Sequence, residues 1–365
     1  MRIIHQIALT YLDAVGDVHA KSLLDYFGSA EAVFSAGPEA LMMVPGIGPL
    51  IAGQILKSRS RALFLAEQQL RFVEKYGVQV LFYTDERYPY RLRNCHDAPV
   101  VLYYKGTADL NHPRIVSIVG TRKATAYGRQ LCKQLCEVLS GYNVLVISGL
   151  AYGIDVSAHK ESLQYHIPTV GVLAHGLDRI YPAQHRPVAE KMLLNGGLLT
   201  EFPSGTAPEK TNFPQRNRII AGIADATIVV EAAARGGALI TAELANSYSR
   251  DVYAFPGRTS DLCSQGCNFL IRTNRAGLIS NAVDFVEFMG WEQFSDDRHA
   301  SQLQMPLELD PELTRLLEAL GHSEMHVDEL ARVSHLSQGQ LAMSLLDLEM
   351  LGLLAVLPGK IYRRA

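Results

Sequence analysis

The spacing of apolar positions changes three times along the chain. Over residues 1–75 they recur at helical intervals. The run LMMVPGIGPLIAGQILKS (Leu41–Ser58) sets an apolar-periodic helix directly after Pro45-Gly46-Ile47-Gly48. Glycines there permit a tight hairpin, and the helix that follows leaves free N–H groups at its start. This is the helix-hairpin-helix pattern, whose backbone amides can hold a DNA phosphate. Tyr11–Gly28 repeats it in degenerate form, with Val15-Gly16-Asp17-Val18 at the turn. Lys57, Arg59 and Arg61 favour DNA contact, whereas the segment's neutral charge favours a packing module.

Residues 76–113 connect this segment to the next and hold two short strand patterns, Val78–Tyr83 and Val100–Tyr104. From 114 to 290 the pattern becomes one of strand and helix in alternation. Strands are predicted at Arg114–Val119, Asn143–Ser148, Pro168–Ala174, Leu198–Phe202, Ala226–Glu231 and Asp251–Phe255. They are short, rich in Val and Ile, and not strictly alternating, as buried parallel strands are. Crossover helices fit between them. The prediction is an α/β, doubly wound sheet with ligands at the C-terminal ends of its strands. Residues 291–306 are polar and aperiodic, a linker; 307–365 then predict three helices and a hairpin turning at Pro358-Gly359, a winged helix. Its recognition helix, Ser337–Leu351, has Asp347 and Glu349 but no Lys or Arg, which favours a protein-interaction or oligomerisation module over a DNA reader.

Composition adds little to this. Of 365 residues 48% are apolar and 19% charged, an ordered globular balance, and the net charge of −3 does not suggest a polyanion partner. The distribution does: residues 114–287 carry 17 basic against 14 acidic side chains, and residues 307–365 carry 5 against 9. A polyanion surface is therefore expected in the middle segment. The five cysteines are not spaced as a zinc knuckle or a disulfide framework, so reduced thiols and no metal are expected. No apolar run is long enough to span a bilayer and the N-terminus does not resemble a signal peptide, so a cytoplasmic protein without a membrane partner is expected.

The candidate chemistry lies at the predicted strand ends. SIVGTRKATAYG (Ser117–Gly128) offers close backbone approach at Gly120, a hydroxyl at Thr121, cations at Arg122 and Lys123, and the positive end of the next helix. That is a phosphate site without the G-x-G-x-x-G spacing of a dinucleotide fold, and no P-loop occurs, so no cofactor is expected. In SGLAYGIDVSAH (Ser148–His159), Asp155 and His159 stand one helical turn apart, a spacing open to acid–base chemistry but more typical of local hydrogen bonding. AHGLDRIYPAQH (Ala174–His185) is a third loop at the same end. After the fourth strand comes EKTNFPQRNRII (Glu209–Ile220). Pro214 predicts a helix start no earlier than itself, leaving Lys210, Asn212 and Phe213 in a loop. Phe213 suits a stacked base, with a phosphate on Lys210, or else a core aromatic beneath the loop. Arg216, Asn217 and Arg218 fall in or near the first helical turn, and the two arginines lie about 200° apart, so one of them is expected to be structural.

Together these motifs resemble the DNA-processing protein A family (DprA, also called Smf). The likeness covers nearly the whole chain and is strongest from Ser117 to about Asn281, through SIVGTRKATAYG, ISGLAYGIDVSAH, LAHGLDRIYP, the stretch from TEFPSG to ITAELA, and VYAFPG. The resemblance implies an extended Rossmann-like central domain, a helix-hairpin-helix (SAM-like) N-terminal domain and a C-terminal winged helix. It implies a non-enzymatic role: binding single-stranded DNA that enters in natural transformation, protecting it, and helping to load the RecA recombinase. A homodimer through the Rossmann-like domain is implied as well. Arg122 matches the family's DNA-contacting arginine, and Lys210 and Phe213 match its lysine and aromatic. The chain departs from the family at Gly236-Gly237-Ala238, where Ser-Gly-Ser is usual.

A second reading is an enzyme. GGALITAE (Gly236–Glu243) loosely resembles the Gly-Gly-x-Gly-Thr-x-x-Glu motif of nucleotide phosphoribohydrolases, with Leu239 and Ile240 interrupting it and Glu243 as the acting carboxylate. A third is an interaction scaffold with a vestigial pocket.

Overall fold

The computed structural model describes residues 2–293, 310–320, 325–334, 336–351, 353–357 and 361–364. All but three residues of the expected linker, and the expected turn at Pro358-Gly359, lie outside them. Two separately packed units are present, Met1–Ser295 and Asp296–Ala365.

The first unit opens with α1 (Arg2–Leu9), α2 (Asp17–Phe27), α3 (Ala30–Ser35), α4 (Pro38–Met42) and α5 (Pro49–Tyr76). Pro49 occupies the first position of α5, where a missing N–H has no partner to lose, and Gly77 ends the helix in the left-handed region at φ 61°. Two of the three cations that favoured DNA contact here have partners within the protein. Arg59 donates to the Val33 and Ala36 carbonyls at 2.6 and 2.8 Å, closing the end of α3, and Arg61 pairs with Asp13 at 2.5 Å.

Nine strands form one sheet: β1 (Gln79–Phe82), β2 (Val101–Gly106), β3 (Ile115–Val119), β4 (Leu145–Ser148), β5 (Thr169–Val172), β6 (Gly196–Thr200), β7 (Ala226–Val229), β8 (Asp251–Ala254) and β9 (Gly277–Leu278). Each predicted strand is present within two residues at either end. The spatial order is β1-β2-β6-β5-β4-β3-β7-β8-β9, with β6 through β9 parallel and β1 and β2 added antiparallel at one side. The chain runs outward from β3 to β6, then returns to pair β7 with β3, Val116 opposite Ala226. That return is a topological switch point, where loops leaving adjacent strand ends diverge and open a crevice.

The connecting helices are α6 (Tyr90–Arg93), α7 (Ala126–Leu139), α8 (Ile154–Gln164), α9 (Arg186–Met192), α10 (Asn212–Ile223), α11 (Gly237–Ser247), α12 (Gln265–Arg272) and α13 (Ala282–Phe288). Strand β3 explains the unbroken apolar runs. Ile115 and Val119 pack under α10 and α11, while Val116 and Ile118 pack under α7 and α8, so both faces are buried. The one hydroxyl between them, Ser117, donates to the Ile220 carbonyl at 2.7 Å. Helices α1 to α5 share an apolar cluster with β1 and β2, through Val80, Phe82, Val101 and Tyr103.

The second unit contains α14 (Pro311–Leu320), α15 (Val327–Ser334) and α16 (Gln338–Met350) with a sheet of β10 (Met325–His326), β12 (Ile361–Arg364) and β11 (Leu354–Leu357), in that spatial order. A capping box between Ser337 and Gln340 starts α16. Leu316, Leu330, Leu345 and Leu354 form its core.

Candidate nucleic-acid interface

The loop after β3 is held from two sides. The Thr121 N–H donates to the Glu231 carbonyl at 2.7 Å, and the Thr121 carbonyl accepts from Ile154 N–H at 3.1 Å. The loop therefore lies between the end of β7 and the start of α8. A Cβ on Gly120 would collide with Ile154 and the Glu231 carbonyl, so glycine is required by close approach. Arg122 and Lys123 project from this support and are exposed.

The positive end of α7 is not free, contrary to expectation. The buried Glu231 carboxylate accepts from Thr125 N–H at 2.9 Å and from the Thr125 hydroxyl at 2.5 Å, and Thr125 caps the helix by accepting from Gly128 N–H. The helix end has its counter-charge inside the protein. Attraction for an anion rests instead on the side chains of Arg122 and Lys123.

Helix α10 begins at Asn212, two residues before Pro214. The first-turn N–H groups of a helix have no acceptor within it, so a proline in the third position removes nothing. Asn212 and Phe213 are thus helical, and only Lys210 of the three expected loop residues stays in the loop. Asn212 turns inward and donates to the Ala174 and Ala207 carbonyls at 3.3 and 3.2 Å.

Both arginines of the Arg-Asn-Arg run are buried, not one. Arg216 donates to the Gly149 carbonyl at 2.6 Å and to the Val172 carbonyl, tying the ends of β4 and β5 to α10. Burial lowers its pKa to about 10, against the pull of Asp155, so it stays charged at neutral pH. Asp155 faces the opposite effect: burial raises its pKa and Arg216 opposes this. Arg218 points to the other side of α10, where it pairs with Asp17 at 3.1 Å and with Glu201. It joins the N-terminal helices to the sheet.

Eight of the ten expected site residues line one cleft of about 810 Å³ at the switch point: Gly120, Thr121, Arg122, Lys123, Lys210, Phe213, Arg216 and Asn217. Asn212 and Arg218 are absent from its lining. The cleft also meets Tyr181, Arg235 and the loop Gly236-Gly237-Ala238. Five of its side chains are cations (Arg122, Lys123, Lys210, Arg216, Arg235) and one, Asp155, is an acid. Phe213 is half-buried, with the Arg122 guanidinium 5.0 Å over its ring and the Tyr181 ring 6.1 Å away. It is a cleft wall rather than a core residue.

Asp155 and His159 do not act on each other. His159 Nδ1–H donates to the Thr169 hydroxyl at 2.7 Å, which in turn donates to the Val146 carbonyl at 3.0 Å. Full burial lowers the imidazole pKa to about 3, so it is neutral packing. Sequence reasoning missed Glu231, Tyr181 and Arg235. Tyr181 was within sight, as the aromatic of the third strand-end loop; Arg235 had a signal in its place just before Gly236-Gly237. Glu231 had none, because its role depends on β7 lying beside β3.

A parallel sheet with a cation-lined switch-point cleft, followed by a winged helix, defines the extended Rossmann-like class with an appended winged-helix unit. The family model described as DNA recombination-mediator protein A matches residues 79–290, and that of the DprA winged helix domain matches residues 300–360. The chain belongs to the DNA recombination-mediator protein A family, the DprA/Smf proteins. It is 33% identical to Protein Smf of Synechocystis sp., over 98% of each chain. It is 38% identical to DNA processing protein DprA of Bacillus subtilis, over 58% of this chain and 71% of that one. The X-ray structure of DNA processing protein A from Streptococcus pneumoniae superposes with a TM-score of 0.67 at 30% identity, covering 80% of this chain and 100% of that one. DNA processing protein A from Helicobacter pylori, described for its single-stranded DNA binding mode, superposes with a TM-score of 0.54 at 28% identity, covering 59% and 97%.

Proposed function

We propose that this protein binds single-stranded DNA as a recombination mediator: it protects DNA taken up in natural transformation and helps load RecA onto it, in the cytoplasm and without enzymatic turnover. The observation that carries this reading is the switch-point cleft, where the Phe213 ring stands beside Arg122 among four cations with exposed side chains, the only acid in the lining being buried. An aromatic face accepts any base, and the cations accept phosphates. In this reading Gly120 to Lys123, Lys210 and Phe213 touch the strand, Arg216 and Asn217 support the cleft floor, and Arg218 and Asn212 act at a distance through the fold. Residues 76–290 are the DNA-binding domain, flanked by a helix-hairpin-helix domain (1–75) and, beyond a linker (291–306), a winged-helix domain (307–365).

A homodimer is supported by the open edge of the sheet at β9, where Leu278 is exposed. Sedimentation should give twice the chain mass, and Leu278→Lys should halve it. The enzyme reading is disfavoured by the place of Glu243, which pairs with Arg275 at 3.1 Å on the surface and does not line the cleft.

The decisive measurement is binding of labelled poly-dT against a duplex of equal length at two salt concentrations. The expected outcome is preference for the single strand, with a log–log salt slope of roughly −0.7 per phosphate contact. Phe213→Ala should weaken binding by about 1–3 kcal/mol, the worth of one stacked base. Arg122→Ala and Lys210→Ala should weaken it and flatten the slope. Wild-type binding by all three variants refutes the assignment of the site, and release of free base from AMP establishes the enzyme instead.

A further inference from the structure

Another wall of the cleft enters the reading above only through the charge of Arg235. It is made by the loop after β7 and the first turns of α11. Arg235 is exposed there and makes no hydrogen bond or ion pair among the described residues. Ile240, one turn into α11, lines the same cleft with 41% of its surface exposed. Between them Gly236 and Gly237 present bare backbone, and a Cβ added at Gly236 would have nothing within 4 Å. The cleft volume of about 810 Å³ is at the upper end of what one small ligand fills and exceeds the need of a single nucleotide.

We propose that Arg235 and Ile240 form a second nucleotide subsite, in which the Arg235 guanidinium takes a phosphate of the strand and Ile240 packs against the neighbouring base or sugar. The two glycines let the backbone of the strand lie close to the loop. The strand then crosses the cleft from the Lys210–Phe213 wall to the α11 wall, with the first nucleotide at Phe213 and the second at Ile240. With the Arg235 guanidinium taken up by a phosphate and an isoleucine offering no hydrogen bond to a base edge, this subsite is indifferent to sequence and selects for a flexible strand that can bend across a cleft. Of the two residues that interrupt the phosphoribohydrolase-like motif, Ile240 is then a binding residue, while Leu239 packs against the core. The subsite rests on the proposed single-strand binding, and it fails separately from it.

The test compares thymidine 5′-monophosphate, which can occupy only the first subsite, with a thymidine dodecamer, by calorimetry at low salt, for wild type, Arg235→Gln, Arg235→Lys, Ile240→Asn and Phe213→Ala. Arg235→Gln should weaken the dodecamer roughly threefold to tenfold and reduce the magnitude of its salt slope by about 0.7, as for one lost phosphate contact. Arg235→Lys should keep the slope. Ile240→Asn should weaken the dodecamer and leave the slope alone. Neither position should affect the mononucleotide, which Phe213→Ala should weaken. All of these side chains are exposed or half-exposed, so the variants fold, and unchanged thermal unfolding verifies it. Wild-type dodecamer affinity in Arg235→Gln overturns the subsite, and so does equal loss for both lengths, because one undivided site would then be present. Failure of wild type to prefer single strands overturns the underlying reading as well.

Discussion

Arg216 and Arg218 are separated by one residue and serve different parts of the molecule. Arg216 satisfies two strand-end carbonyls and is the nearest buried counter-charge of Asp155, whereas Arg218 holds Asp17 and Glu201. Arg216→Ala would leave those buried carbonyls without their donor and remove the main counter-charge of Asp155. It should cost about 3 kcal/mol or more of stability, read as a lower urea midpoint. Lys210→Ala, at an exposed side chain, should leave the midpoint unchanged while weakening DNA binding. This pair of measurements separates scaffold cations from ligand cations. His159 adds a pH dependence. Its folded pKa, about 3, lies below the ordinary 6.5, so the folded state excludes a proton that the unfolded chain binds. Its contribution is complete above pH 6.5 and declines as pH falls towards 3, with a slope of at most about 1.4 kcal/mol per pH unit. Urea unfolding of wild type and His159→Gln at several pH values should show the difference between them shrinking as the medium is acidified.

Among the elements, the strands were the most legible. Eight short Val/Ile runs became eight strands because burial on both faces leaves a continuous apolar signature. Helix α10 starts two residues before Pro214, because a first-turn proline meets no hydrogen-bonding requirement and so is no barrier to a helix start. The β3–α7 loop depends on α8 for its shape. Gly153 begins α8 at φ 79°, and a Cβ there would collide with the Thr121 carbonyl and the Arg122 backbone. Gly153→Ala should therefore cost about 2 kcal/mol or more and displace Arg122. Thermal unfolding and poly-dT titration should both register the change, whereas Gly205→Ala, at a positive φ but with open space, should register in the first alone.

In the whole molecule, cleft and winged helix lie in separately packed units. The outer surface of α16 exposes Met343, Leu346 and Met350 and carries no Lys or Arg, a surface unlike one that grips phosphates. A chain ending at residue 293 should bind poly-dT with the affinity and salt slope of the full chain. Loss of binding in a folded truncated chain, checked by circular dichroism, would show that the winged helix contributes to the strand site.

The succession of strands along the chain, the positions of the candidate cations and the family were all readable from local pattern, because periodicity and motif spacing are properties of neighbouring residues. Which cations line the cleft was not. Arg122 and Lys210 stand some ninety residues apart and meet only because the chain returns from β6 to place β7 against β3. The same return brings Glu231 to the end of α7, cancelling the helix charge that the sequence suggested for a phosphate, and opens the wall that carries Arg235. Charge type is written in the sequence; whether a charge faces solvent or a buried partner is decided by which strands become neighbours, since desolvation and pairing are properties of the packed structure.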